Sequence, residues 1–287
     1  MELSLQLLNN KEKKLTKIIK NYNPLMIAFS GGLDSTYLLY IAVKALGPKN
    51  ILAATAKAPI YTTLETQNID VIINQLNVSH YSFDHQIMSE KKFTNNPTDR
   101  CYHCKNLIFS SLRNIAGKHS IKHIAHGENC DDLISYRPGS KAAKEHNILS
   151  PLVEAGLTRN DVQILAKYHG LCNWDLPQMA CLATRLPYYQ EITLNLIEMI
   201  DQAEKILFQM GFPGARVRWI EKTAKIEIPK KQLASFFHRQ LQGDILNRFI
   251  KIGFKDIFVD PEGYRSGFDD ALAIDHSQKT IVKSVNR

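Results

Sequence analysis

Short apolar runs alternate with amphipathic stretches along the first half of the chain, and that alternation predicts an α/β fold. Leu25-Met26-Ile27-Ala28-Phe29 follows Pro24 as an unbroken apolar run, the pattern of a parallel strand buried on both faces. From Thr36 to Leu46 apolar residues recur at helical spacing, and Gly47-Pro48 stops the helix. Ile51 to Ala56 reads as a second strand. Leu64 to Leu76 reads as a helix with Ile69, Ile72, Ile73 and Leu76 on one face. Val78 to Phe83 predicts a third strand, Asn106 to Ala116 a helix, and Lys122 to His126 a fourth strand. This rhythm implies parallel pairing through right-handed crossovers, and therefore an open, doubly wound parallel sheet.

After Gly127 the chain is polar and loop-like as far as Pro151. Thr158 followed by Asp161 has the form of a capping box, opening a helix that ends near Gly170. Leu176 to Pro187 is irregular and contains Cys181. A different pattern then begins. Thr193 to Gly211 is an amphipathic helix, Ala215 to Ile220 and Ala224 to Ile228 alternate as two strands, Lys231 to Gly253 is helical, and Lys255 to Val259 is a last strand. The expected organisation is a sheet domain over residues 1–187 and a smaller α+β domain over residues 188–287.

Composition narrows the class. A chain of 287 residues, 44% hydrophobic, buries roughly three-quarters of its unfolded surface without help from disulfides. The charges sum to 36 − 28 = +8, which favours anionic partners without naming one. The polar opening MELSLQLLNNKEKK has no leader pattern, and no apolar run reaches the ~18 residues of a membrane span. The expectation is a cytoplasmic protein with reduced thiols. A close pair among its five cysteines then calls for metal or catalysis.

The first candidate chemistry is Ser30-Gly31-Gly32-Leu33-Asp34-Ser35-Thr36, between the first strand and the first helix. Two glycines let successive N–H groups turn toward one anion, the helix N-terminus adds its dipole, and Ser30, Ser35 and Thr36 add hydroxyls. Asp34 would repel that anion unless Mg²⁺ bridges the two. A tight turn with Asp34 and Ser35 capping the helix is the plainer reading. The lysine-bearing loop of P-loop nucleotidases is absent. SGGLDST after an N-terminal strand resembles the pyrophosphate loop of the N-type ATP pyrophosphatases. That resemblance implies an adenine nucleotide α-hydrolase-like domain in which ATP is cleaved between its α and β phosphates, AMP being transferred to a substrate oxygen.

Cys101-Tyr102-His103-Cys104, flanked by Arg100 and Lys105, is the second candidate. Two thiolates at this spacing chelate a metal or a cluster edge, although half-buried thiols, or a zinc site completed by His85, His103, His123 or His126, fit the spacing too. Cys181 lies in a loop beside Arg185, a polar setting unusual for a core cysteine. Gly127-Glu128-Asn129-Cys130-Asp131-Asp132 follows the fourth strand at the edge where open α/β sheets bind ligands. Asp131 or Asp132 there would share Mg²⁺ with Asp34, or merely cap a helix. Arg137 would contact phosphate or a neighbouring acid. Arg216 and Arg218, two apart on a strand, share a face suited to phosphate or carboxylate, or to a salt-bridge ladder with Glu227.

Taken in order, SGGLDST, NPTDRCYHCK, GENCDDLISYRPGSKAAKEH, SPLVEAGLTRNDV, NWDLPQMACLATRLPY and GARVRWIEKTAKIEI resemble the LarE-type sulfur transferases over residues 10–267. The resemblance implies an enzyme of nickel-pincer nucleotide biosynthesis. One carboxylate of a pyridinium-3,5-dicarboxylate mononucleotide would be adenylated, and sulfur would replace AMP. ATP and Mg²⁺ would lie on Ser30, Gly31, Gly32, Asp34, Ser35, Thr36 and Gly127, with Asp131 as a further Mg²⁺ ligand. Arg185, Arg216, Arg218 and Glu227 would bind the substrate, and the chain would assemble as a homo-oligomer.

The group has two sulfur solutions. Cys181 gives up its own sulfur, or three cysteines hold a 4Fe–4S cluster whose open iron carries sulfide. The retained C-x-x-C favours Cys101, Cys104 and Cys181 as cluster ligands, because three thiolates on a four-iron cube leave one iron open. Cys130 and Cys172 are expected to be ordinary buried or half-buried thiols, although Cys172, nine residues before Cys181, could replace one ligand. Other readings are a tRNA-thiolating enzyme, an ammonia-dependent amide ligase, and a nucleotide-binding protein without catalysis. Basic residues scattered along the chain, with no aromatic-interleaved stripe, argue against a nucleic-acid partner.

Overall fold

A computed structural model describes residues 2–133, 138–176, 180–238 and 241–264. Helix α1 (Glu2–Lys20) leads into strand β1 (Leu25–Ala28), α2 (Leu33–Leu46), β2 (Ile51–Lys57), α3 (Thr63–Leu76) and β3 (Ser79–Asp84). The short α4 (Lys91–Thr94) and long α5 (Arg100–Lys118) follow, then β4 (His123–His126). All four strands are parallel, in the order β3-β2-β1-β4, with Leu25 opposite both Ile51 and His123. The fold is the α/β doubly wound parallel sheet expected from the strand–helix rhythm.

Alternation along β1 feeds two cores. Leu25 and Ile27 point to a layer built by α1, α2 and α3, whereas Met26 points to the opposite layer built on α5. The central strands are buried on both faces, so they read as continuous apolar runs. Edge strand β3 is exposed or half-exposed throughout. From β1 the chain winds outward to β3, then returns across the sheet to place β4 on the other flank of β1. That reversal opens a crevice at the carboxyl ends of β1 and β4, the usual ligand position in such sheets.

Besides the one-turn α4, three helices lie where no helix was expected. Helix α1 packs through Leu8, Leu15 and Ile19, whose spacing is obscured by four intervening lysines. The stretch read as loop up to Pro151 contains α6 (Pro138–Glu145), which buries Ala142 and Ala143. It is followed at once by α7 (Pro151–Ala155). Helix α8 (Arg159–Tyr168) opens on the capping box read from Thr158 and Asp161.

The C-terminal unit is a three-stranded sheet, β5 (Arg216–Ile220), β6 (Thr223–Glu227) and β7 (Asp256–Val259), in the order β5-β6-β7. Glu221 and Lys222, at φ 46° and 74°, form the tight turn between antiparallel β5 and β6. The single helix expected over 231–253 is two, α10 (Lys230–His238) and α11 (Gln242–Ile252). Helix α9 (Leu194–Gln209) joins the two units. Its Ile197 and Ile200 belong to the α5 core, and its Ala203 and Leu207 belong to the C-terminal core.

Candidate functional site

The loop after β1 is tightly braced. Gly31 takes φ 80°, a left-handed conformation glycine adopts without strain. Ser30 Oγ and Ser35 Oγ lie 3.0 Å apart, and Ser35 Oγ and Thr36 Oγ1 donate to Gly32 O at 3.0 and 2.9 Å. Gly32 stands at the N-cap of α2 with no side-chain cap, so neither Asp34 nor Ser35 plays the capping role. An uncapped first turn leaves N–H groups and a positive dipole end toward the crevice, a setting for an anion. Asn173, buried, donates from Nδ2 to Gly31 O at 3.0 Å and Thr36 Oγ1 at 2.9 Å, pinning the loop from behind.

Gly127 completes the crevice from β4. A Cβ at this position would stand 2.7 Å from Ser35 N, so only glycine allows the two loops to approach this closely. Beside it Glu128 accepts from Ser140 and Ser150, and His126 Nε2 lies 3.4 Å away. Burial raises the Glu128 pKa, but His126, Ser140 and Ser150 outweigh it and hold the carboxyl at about 2.

Asp34 pairs through Oδ2 with the Arg159 guanidinium, while its buried Oδ1 has no hydrogen-bond partner. Burial raises the Asp34 pKa, Arg159 opposes that rise, and Asp132 adds to it. A carboxylate oxygen buried without a donor suits a hard cation, and Mg²⁺ fits this donor chemistry. Asp131 Oδ2 accepts the N–H of Arg159 at 2.9 Å, at the start of α8. Asp132 is therefore the acid whose charge reaches Asp34, and Asp131 serves the helix end. Arg137 lies outside the described residues.

Cys101 and Cys104 occupy the first turn of α5, and Cys181 lies just before a single 3₁₀ turn, Leu182–Arg185. Cys104 is buried, and Cys181 packs against the same apolar cluster. Burial, then the neighbouring Cys181, pushes the Cys104 thiol up to about 12, with Cys101 adding to the rise. The three thiols thus share one neighbourhood. Among the described residues no three Cys, His, Asp or Glu side chains close on a single ion, which leaves no zinc site there. Cys101, Cys104 and Cys181 are all free thiols, the donor chemistry that an iron–sulfur cluster takes. His85 Nε2 lies 3.5 Å from Cys104 Sγ, and burial pushes this histidine down to about 4. Cys130 is half-buried against Val153 O, whereas Cys172 is exposed, contrary to the buried or half-buried setting expected for it.

Guanidinium groups gather beside the Cys181 loop. Arg185 is buried, donating to both Glu204 oxygens at 2.7 and 3.1 Å and to Ala180 O at 2.9 Å. Those donors serve the loop and α9. Arg218 Nε stands 2.9 Å from Glu227 Oε1, and its Nη1 donates to Thr184 O at 3.0 Å. Arg216 stacks on Tyr264, 4.0 Å from the ring centroid. Burial, and then the charge of Arg185, pushes Arg216 down to about 10. Like charges held this close in a buried setting gain from a bound anion.

Similarity to known proteins decides the family. No protein-family model matches the chain. The chain is 32% identical over 261 residues to pyridinium-3,5-bisthiocarboxylic acid mononucleotide synthase of Lactiplantibacillus plantarum, covering 91% of this chain and 94% of that one. The chain belongs to the LarE family. An uncharacterised protein of Synechocystis is 33% identical over 91% of this chain and 97% of its own. An uncharacterised protein of Methanocaldococcus jannaschii is 29% identical over 88% and 98%.

In this LarE-family chain the crevice holds Ser30, Gly31, Gly32, Asp34, Ser35, Thr36 and Gly127 together. Arg185, Arg216, Arg218 and Glu227 form a second group, next to Cys181. Arg159 and Asn173 were missed from sequence. Each lay inside a motif already singled out or beside one, but nothing in the spacing tells which polar residue turns inward.

Proposed function

We propose that the protein is an ATP-dependent sulfur transferase that converts a carboxylate of a pyridinium-3,5-dicarboxylate mononucleotide into a thiocarboxylate, toward the nickel-pincer nucleotide. The observation that carries this reading is the near end-to-end match to a synthase named for the bisthiocarboxylic acid mononucleotide. The uncapped α2 N-terminus, the paired hydroxyls and the close approach of Gly127 support a pyrophosphate site. There the loop would hold the departing pyrophosphate while AMP passes to the substrate carboxylate, a step driven by positioning and charge stabilisation. Asp34 Oδ1 would hold Mg²⁺ against that phosphate, with Arg159 balancing the carboxylate from the other oxygen.

Cys101, Cys104 and Cys181 would carry the sulfur chemistry. A three-cysteine 4Fe–4S cluster, when bound, supplies an iron without a protein ligand that can bear sulfide. Arg216 and Arg218 would take the substrate phosphate or its second carboxylate, and Glu227 would orient Arg218. Arg185 would hold the Cys181 loop in place through Ala180 O and Glu204.

Anaerobic purification tests the sulfur assignment. The expected protein is brown, with iron and sulfide in near-stoichiometric amounts, and Cys181→Ala loses both. A colourless protein whose intact mass falls by one hydrogen sulfide per turnover would instead make Cys181 the sulfur donor.

A further inference from the structure

The first half of the NPTDRCYHCK motif carries no chemistry in the reading above, yet it holds the two most deeply buried side chains of the motif. Asn96 is 0% exposed and Arg100 4%. Asn96 accepts from Arg100 Nη1 through Oδ1 at 3.0 Å and donates from Nδ2 to Pro187 O at 2.8 Å. Its own carbonyl accepts the N–H of Tyr189 at 2.9 Å. Arg100, the residue before Cys101, lays its guanidinium 4.3 Å from the ring centroid of Tyr188. Two residues ahead of Asn96, Thr94 O accepts the N–H of Ile192 at 2.8 Å.

Apart from the Arg100–Asn96 bond, which braces the turn internally, these contacts tie the region between α4 and α5 to the segment leaving the Cys181 loop. The other end of that loop is fixed separately, Leu182 N donating to Ile60 O at 2.8 Å. Asn96 also has φ 54°, a left-handed conformation that asparagine tolerates better than most residues. A buried amide using both ends, with a buried guanidinium over a ring, is expensive to assemble unless the geometry it fixes matters.

We infer that Asn96 and Arg100 form a latch that holds the Cys181 segment against the head of α5 and so sets the separation of Cys181 from Cys101 and Cys104. This is a positioning role, and it rests on the reading of those three thiols as one functional group. Neither residue touches a thiol in the contacts described. They act on the backbone at 187–189 and on the first turn of α5.

The test uses thiol cross-linking in the full-length, reduced, chelator-treated chain carrying Cys130→Ser and Cys172→Ser. A short bifunctional thiol reagent is expected to join Cys181 to Cys101 or Cys104, identified by peptide mass. Asn96→Gly removes the amide while easing the left-handed backbone, and Arg100→Lys keeps the charge but loses the guanidinium over Tyr188 and its bond to Asn96. Each should slow cross-linking about tenfold or more, because the second thiol loses effective concentration. Alkylation by a monofunctional reagent should change less than about twofold, since that step does not depend on the separation. Absence of the cross-link in the parent would overturn the inference, as would an unchanged rate in both variants. Equal slowing of monofunctional alkylation would also overturn it, by making the role general stability. Iron content is not read in this experiment, so a failure of the cluster assignment leaves its result standing.

Discussion

Asp34 holds two oxygens in opposite situations, one paired with Arg159 and one buried without a partner. The sequence placed Asp34 in the loop and predicted a cation from its charge beside an anion site. The partner on its other oxygen comes from α8, 125 residues away in sequence, and no local spacing announces it. The same holds for Asn173, which reaches the loop from 142 residues away. Arg159 lowers the Asp34 pKa against the rise from burial. Arg159→Ala removes that opposition, so the Asp34 pKa rises further and the carboxylate form is lost at higher pH. The acid limb of substrate-dependent pyrophosphate release should therefore move to higher pH in the variant. An unmoved limb would mean that Asp34 does not titrate in that reaction.

The elements that build the crevice were legible because each repeats a simple pattern. Strands β1 and β2 are apolar runs, and α8 opens on a capping box visible in Thr158 and Asp161. Helix α1 was not read because lysines interrupt its buried stripe. Helix α6 was missed because its buried side chains are two alanines, too small to mark a face. Packing between elements is where Gly127 acts. Its position after β4 suggested a ligand edge, but the contact with Ser35 is a tertiary fact. Gly127→Ala should cost about 1–3 kcal/mol of stability through overpacking, measured by denaturant unfolding, and should impair pyrophosphate release by pushing the α2 N-terminus away. Full activity at wild-type stability would show that the two loops do not need this approach.

Across the whole molecule, topology joins three chemistries that sequence reading could only name separately. Reversal of strand order between β1 and β4 creates the crevice that holds the Ser30–Thr36 loop and Gly127. The turn that starts α5 brings two thiols to the Cys181 loop. Helix α9, shared between the two cores, sets the arginine face of β5 beside that loop, with Arg218 bonding Thr184 O directly. The same shared helix carries Glu204, the partner of Arg185. Motif order along the chain suggested the family, and near full-length similarity to other chains established it. The relative placement of thiols and arginines needed the folded chain. The most direct test of the proposed activity follows the substrate itself. Anaerobically purified protein is incubated with ATP, Mg²⁺ and pyridinium-3,5-dicarboxylate mononucleotide, and the nucleotide is read by mass spectrometry. An oxygen-to-sulfur exchange on the dicarboxylate, matched by pyrophosphate released, is the predicted result. An unchanged nucleotide with no pyrophosphate, under conditions where the protein is folded and binds ATP, would contradict it.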